Sequence, residues 1–175
     1  MSRRLIVILL GLIVLTALGS LLLPAEQKVE RSLVINEPAD RIWALIVDPP
    51  AWNRWSPWHE DDPNMKITYQ GAPKGEGARW RWESARHGSG DMQIVRADVP
   101  REMNYVMTLN PMGATYGRFV LEPADGGTRV VWTHAYDAGY NPIARWTGLF
   151  MENWVGPSFE KGLSNMAKAL SIQAK

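Results

Sequence analysis

The chain has 175 residues, a net charge of +1 from 19 basic and 18 acidic side chains, and no cysteine. Interspersed charges without a Lys/Arg block lack the electrostatic footprint of a nucleic-acid binder, so nucleic acid is set aside as a partner. The absence of cysteine excludes disulfides, thiolate metal sites and cysteine nucleophiles, and the length suits one ordinary domain.

From Leu5 to Leu23 run nineteen residues without a charge, LIVILLGLIVLTALGSLLL, interrupted only by Thr16 and Ser20. As a helix rising 1.5 Å per residue this run covers about 28 Å, the thickness of a bilayer's hydrocarbon layer. Residues 1–24 therefore read as an N-terminal transmembrane anchor or uncleaved signal segment. A cleaved signal peptide is the alternative, with Arg3 and Arg4 as its charged region and Ala17-Leu18-Gly19 as a small-residue cleavage site. The apolar run continues past that site through Leu21, Leu22 and Leu23, which favours retention. Arg3 and Arg4 favour a cytoplasmic N-terminus, which makes the protein single-pass in the cell membrane with residues 25–175 on the extracytoplasmic side.

Lys28 to Asn36 alternates as a strand, and EPAD after it opens a short helix with Ile42, Trp43, Leu45 and Ile46 at helical spacing. Asp48-Pro49-Pro50 stops that helix. The segment WNRWSPWHE at Trp52 follows as a second brief helix or turn ended by Pro57, with three of the nine tryptophans in seven residues. Six strands are then predicted at 65–70, 78–84, 90–99, 102–109, 115–122 and 128–136, joined by turn sequences such as GAPKGEG, RHGSG, NPMGA and ADGG. Short links between consecutive strands imply an antiparallel meander. Alternation puts Ala78, Trp80, Trp82, Met92, Ile94, Met103, Tyr105, Met107, Phe119, Leu121, Val130 and Trp132 on one apolar face, with His134 and Tyr136 in register. A sheet with one apolar face needs a cover. Residues 141–174 supply it as a helical stripe of Ile143, Trp146, Phe150, Phe159, Leu163, Met166 and Leu170, broken or kinked near Gly156-Pro157.

No GxSxG elbow, HExxH, Walker loop or EF-hand pattern occurs, and His59, His87 and His134 lack metal-ligand spacing, so neither a metal nor a cofactor is expected. GAPKGEG precedes a strand and reads as a hairpin turn rather than a phosphate loop, and HEDDPN at His59 reads as a solvated loop. Arg81 and Glu83 belong to the solvated face of their strand.

The order of strand, two short helices, curved antiparallel meander and long C-terminal helix resembles the helix-grip fold of the SRPBCC superfamily, which includes START-type lipid-transfer domains. Six motifs resemble its polyketide cyclase and dehydrase branch: RSLVINEPADRIWALIVD at Arg31, WNRWSPW at Trp52, DPNMKITYQG at Asp62, GEGARWRWES at Gly75, GTRVVWTH at Gly127 and FEKGLSNMAKAL at Phe159. The resemblance implies an α+β helix-grip fold, a curved sheet of about seven strands around the C-terminal helix, added to one N-terminal transmembrane helix. It further implies a cavity between sheet and helix for a small apolar or lipid-like ligand. The walls of such a cavity would be Trp80, Trp82, Tyr105, Met107, Phe119, Trp132, His134, Trp146 and Phe150, and its mouth Trp52, Trp55 and Trp58.

Three functions remain open. The first is a membrane-tethered binding domain without covalent chemistry. The second is a polyketide cyclase/dehydrase-like enzyme, with His134 as candidate acid or base and Tyr105 or Tyr69 as hydrogen-bond donors. The third is an envelope interaction protein whose interior is filled by its own side chains.

Overall fold

A computed structural model describes residues 3–109 and 113–172. The turn expected at 110–114 therefore lies largely outside the described residues, as do positions 173 and 174 of the expected C-terminal helix. The elements are α1 (Arg3–Ser20), β1 (Glu26–Ile35), α2 (Ala39–Ile46), a 3-10 turn (Pro49–Arg54), α3 (Pro57–Asp61), β2 (Lys66–Gly71), β3 (Ala78–Ser84), β4 (Gly88–Asp98), β5 (Glu102–Leu109), β6 (Gly113–Ala124), β7 (Gly127–Asp137), α4 (Pro142–Gly148) and α5 (Met151–Ile172). This is the α+β helix-grip arrangement, with the strands within a few residues of their expected bounds.

The seven strands form one sheet in the order β1-β7-β6-β5-β4-β3-β2, with every pair antiparallel. Hairpin connection explains every neighbour except β1, which crosses the sheet's end to pair with β7. The register of β4 on β5 shifts between Ile94 and Arg96, a bulge that bends the ladder there. Inward positions alternate as the sequence requires: Val29, Trp80, Met92, Ile94, Met103, Tyr105, Phe119, Val130 and Trp132 are all buried.

The tryptophan-rich segment is organised by hydrogen bonds as well as by burial. The last carbonyls of a helix have no intrahelical partner. At the end of α2 three such carbonyls are met in turn: the Trp55 indole donates to Leu45 O at 3.1 Å, the Trp52 indole to Ile46 O at 3.0 Å, and the Gly75 backbone N–H to Val47 O at 2.8 Å. Two indoles thus close a helix end while their ring faces, 4.5 Å apart at the centroids, enter the core. Pro57 does not end this segment as expected; it opens α3, where its missing N–H is one that a first helical turn leaves unpaired anyway.

The C-terminal helix departs from the predicted stripe. It is interrupted at 149–150, between α4 and α5, while Pro157 sits inside the continuous α5. Arg31 on β1 bonds both Glu152 and Glu160, each at 2.7 Å, and these residues flank Pro157, so the helix is pinned on either side of the missing N–H. Phe159, Leu163, Met166 and Leu170 are buried on the sheet as predicted, whereas Ile143, Trp146 and Phe150 are exposed. They belong to α4 and the junction, which pack toward α1 and away from the sheet: the Trp146 indole donates to Thr16 O at 3.1 Å.

Replacing Trp55 tests this account of the segment. Trp55→Ala is expected to lower stability by about 3–5 kcal/mol through the cavity it leaves. Trp55→Phe keeps a ring but strands the Leu45 carbonyl, for a loss of about 1–2 kcal/mol. Urea unfolding measures both, and a Trp55→Phe variant as stable as the wild type would contradict the capping role.

Candidate functional site

A cavity of about 340 Å³ lies between the sheet and the N-terminal half of α5. Its floor is built from cross-strand rows. Trp80, Met92, Met107 and Thr115 are successive Cα partners on β3, β4, β5 and β6, and Ile67, Trp82, Gly90 and Leu109 form the next row toward the strand ends. Met151, Trp154, Val155 and Phe159 of α5 form the roof, with Thr147 of α4 beside them, and Trp52, Ser56, Trp58 and His59 form the flank.

Two glycines make this floor possible. A Cβ on Gly117 would stand 1.8 Å from the Tyr105 ring, and one on Gly90 would stand 2.4 Å from the Trp82 ring. Each glycine is the direct cross-strand partner of the aromatic residue it accommodates, so the ring lies down over the neighbouring strand instead of standing up into the hollow.

The inner end is closed by stacked rings. Trp132 lies flat on Phe159 at 3.9 Å between centroids and 7° between planes, and Phe119 stacks behind Trp132 at 4.9 Å. Trp58 meets both Trp132 and Phe159 edge-on. The Trp132 indole donates to the Tyr105 hydroxyl at 2.9 Å, which fixes Tyr105 and satisfies the one polar atom of Trp132.

Polar groups on this wall are few and neutral. Desolvation holds the His134 imidazole down to about 4, and burial pushes the Tyr105 phenol well above its usual value. His134 Nδ1 has no protein hydrogen-bond partner, and neither does Nε2 of His87 nor either ring nitrogen of His59, whose protonation burial also opposes. All three histidines line the same cavity, although they are 28 and 47 residues apart in sequence. Such buried nitrogens await a partner that can give or take a hydrogen bond. His134 lies against the rings of Tyr105 and Phe159, stacked on the first and edge-on to the second. Among the described residues no three His, Asp or Glu side chains gather as a metal site would need.

The structure brings Trp80, Trp82, Tyr105, Met107, Trp132 and His134 onto the wall together, with Trp52 and Trp58 on the flank. Four expected positions lie elsewhere. Phe119 is sealed behind Trp132, and Trp55 is turned away to cap α2. Trp146 and Phe150 fall outside because the helix break follows Trp146 and coincides with Phe150, turning their segment toward α1. Tyr69, the other proposed donor, is on the exposed edge beside Asn53. The sequence reading missed Met151, Trp154 and Val155 because it put the break seven residues too late. Tyr136, expected in register with Trp132, also lines the cavity, and Thr115 could have been found by extending the alternation back from Phe119. Nothing in the local pattern marks His59 or His87, which arrive through α3 and the β3–β4 turn.

The model of the family described as polyketide cyclase / dehydrase and lipid transport matches residues 26–171. No protein of curated function matches the chain. Solved structures of similar fold include a solution structure from Thermobifida fusca, 25% identical, with TM-score 0.64 over 80% of this chain and 90% of that one. A crystal structure from Mycobacterium smegmatis is 17% identical, with TM-score 0.61 over 84% and 92%. A protein of the dynemicin biosynthetic locus is 13% identical, with TM-score 0.57 over 83% of this chain and 47% of that one.

The buried neutral histidine predicts a pH signature. His134 takes up a proton near its ordinary 6.5 when unfolded and only near 4 when folded, so the unfolded state binds more protons between those values. Its neutral burial is free of penalty above pH 6.5, and stability is lost as pH falls through the window, by about 3 kcal/mol in total. Denaturant unfolding at pH 7 and pH 4 is expected to show His134→Gln losing that much less than the wild type. Parallel losses would contradict the neutral, desolvated state.

Proposed function

The chain belongs to the polyketide cyclase / dehydrase and lipid transport family, and from that premise we propose that it is a membrane-tethered binding domain that holds one small, largely apolar ligand in the cavity beneath α5. The observation that carries this reading is the cavity itself: about 340 Å³ walled by indole, methionine and phenyl groups, within the usual range for small-molecule sites. A filled interior, as the interaction-protein reading requires, is disfavoured by that volume. The three histidines with unpartnered nitrogens support a ligand carrying oxygen, such as a hydroxyl or carbonyl, on an apolar body.

The tether is α1, an apolar helix long enough to cross a membrane and almost wholly uncovered by the domain. Arg3 and Arg4 support a cytoplasmic N-terminus and an extracytoplasmic domain. Labelling of a cysteine at Val95 by an impermeant thiol reagent in intact cells checks that orientation.

A cyclase/dehydrase-like reaction is the second reading, favoured by the placement of His134 beside Tyr105 at the cavity wall. Against it stands the chemistry of the pair: an imidazole held near 4 is a weak base at neutral pH, and the phenol stays protonated. Both are suited to hydrogen bonding rather than proton transfer.

Mass spectrometry of the full chain extracted from its native membrane tests the binding reading. One small apolar molecule per chain is expected. Met107→Trp should fill the hollow and abolish the bound species while the protein stays folded. His134→Ala should weaken binding by about tenfold, the worth of one hydrogen bond in a dry site, without ending any turnover. Empty wild-type chains that also take up no hydrophobic probe would overturn the reading, and loss of a measurable conversion in His134→Ala would favour the enzyme.

A further inference from the structure

The segment from Tyr140 to Trp154 presents large apolar side chains to the outside beside the very end of α1. Ile143 is 73% exposed, Phe150 51% and Trp154 65%, with Tyr140 and Leu149 also exposed. Ile143 and Trp146 are three residues apart on one face of α4, with Phe150 in the junction that follows, and the Trp146 indole on that face bonds Thr16 O of α1. The face is therefore turned to the side from which the apolar helix departs. Phe150 and Trp154 stack at 5.7 Å and extend it onto α5.

The attachment of α1 to this corner is specific. Arg145 is buried, and its Nη1 donates to the carbonyls of Ser20, Leu21 and Leu23 at 3.3, 3.2 and 2.9 Å, while Nε donates to Gly139 O at 2.6 Å. The guanidinium meets the Ser20 carbonyl that ends α1 and two carbonyls of the turn after it, groups that a helix end would otherwise expose, and it ties α4 to the point where α1 ends. Arg145 is the one basic residue between 138 and 155, so electrostatic attraction to anionic lipid has no source here. The aromatic and aliphatic composition matches the belt where a membrane meets water.

The same two turns carry the cavity's most exposed lining residues, Thr147 and Trp154, with Met151 between them. Resting on the reading of α1 as a tether and of the cavity as a ligand site, we propose that the α4–α5 corner docks on the bilayer interface. The cavity mouth beside Trp154 then opens onto the lipid layer, so that the ligand exchanges between bilayer and cavity without passing through bulk water.

The chain has no cysteine, so single labels can be placed cleanly. Spin labels at Ile143→Cys and Phe150→Cys, with Val95→Cys as a distant control, are examined in phosphatidylcholine proteoliposomes by collision with oxygen and with an aqueous nickel chelate. The proposal expects labels at 143 and 150 to favour oxygen and the label at 95 to favour nickel, without dependence on salt. Water-accessible labels at all three sites overturn it, and so do labels at 143 and 150 shielded from both probes, since a second copy or another protein would then cover the corner. In a second arm, Ile143→Glu and Phe150→Glu should each slow uptake of a pyrene-labelled fatty acid from donor vesicles by about tenfold. Binding of the same probe in detergent micelles should stay at the wild-type level. Unchanged vesicle uptake overturns docking, whereas failure of the wild type to bind in micelles removes the cavity reading on which docking rests.

Discussion

The flat contact of Trp132 on Phe159 sets the distance at which α5 stands over the sheet. Two rings 3.9 Å apart cannot approach further, and the hydrogen bond from Trp132 to Tyr105 together with Phe119 behind it keeps the lower ring from sinking into the sheet. Beyond this stack toward the C-terminus, Leu163, Met166 and Leu170 fill the interface, and the interior is solid. On the other side, Met151, Trp154 and Val155 face the glycine-backed floor over Gly90 and Gly117, and the interior is hollow. Arg31 with Glu152 and Glu160 holds the overhanging half of α5 in place from its outer flank. Large side chains thus prop the cavity open at one end, and missing side chains make room beneath it.

This explains how much could be read from the sequence. Strands announce themselves through alternation, because a one-residue slip would send Trp80 and Trp82 to water; both the meander and its inner face were legible for that reason. Six ordered motifs carried the fold family. The helix break was not legible, because Pro157 is a strong local signal that tertiary pinning by Arg31 overrides, while the true interruption at 149–150 has no proline or glycine of its own beyond Gly148. That single displacement moved Trp146 and Phe150 onto the expected cavity wall and left Met151 and Trp154 off it. Trp55 was misplaced for a different reason: its indole N–H is used to cap α2, a role invisible to hydrophobic pattern. His59 and His87 join His134 only through the folding of α3 against the β3–β4 turn, where the Ser84 hydroxyl donates to Asp62.

The chemistry follows from the same architecture. A cavity walled by rings and thioethers disfavours charge on the polar groups it contains, so His134 and Tyr105 are left neutral. The wall of that cavity is shared with the aromatic corner that receives the end of α1. Cap, corner and mouth are consecutive in the chain between Gly139 and Trp154, so a change in how α1 seats would be felt directly at the opening.

The claim on which these relations rest is that the space beneath α5 is a true hollow with an apolar interior. An anomalous-scattering map at the bromine edge, from crystals of the protein grown with a short bromoalkane, tests it most directly. The account predicts a bromine peak enclosed by Trp82, Met107 and Phe159, absent in Met107→Trp. An interior in which Trp58, Trp82 and Trp154 close onto the floor, with bromine found only on the outer surface, would contradict it.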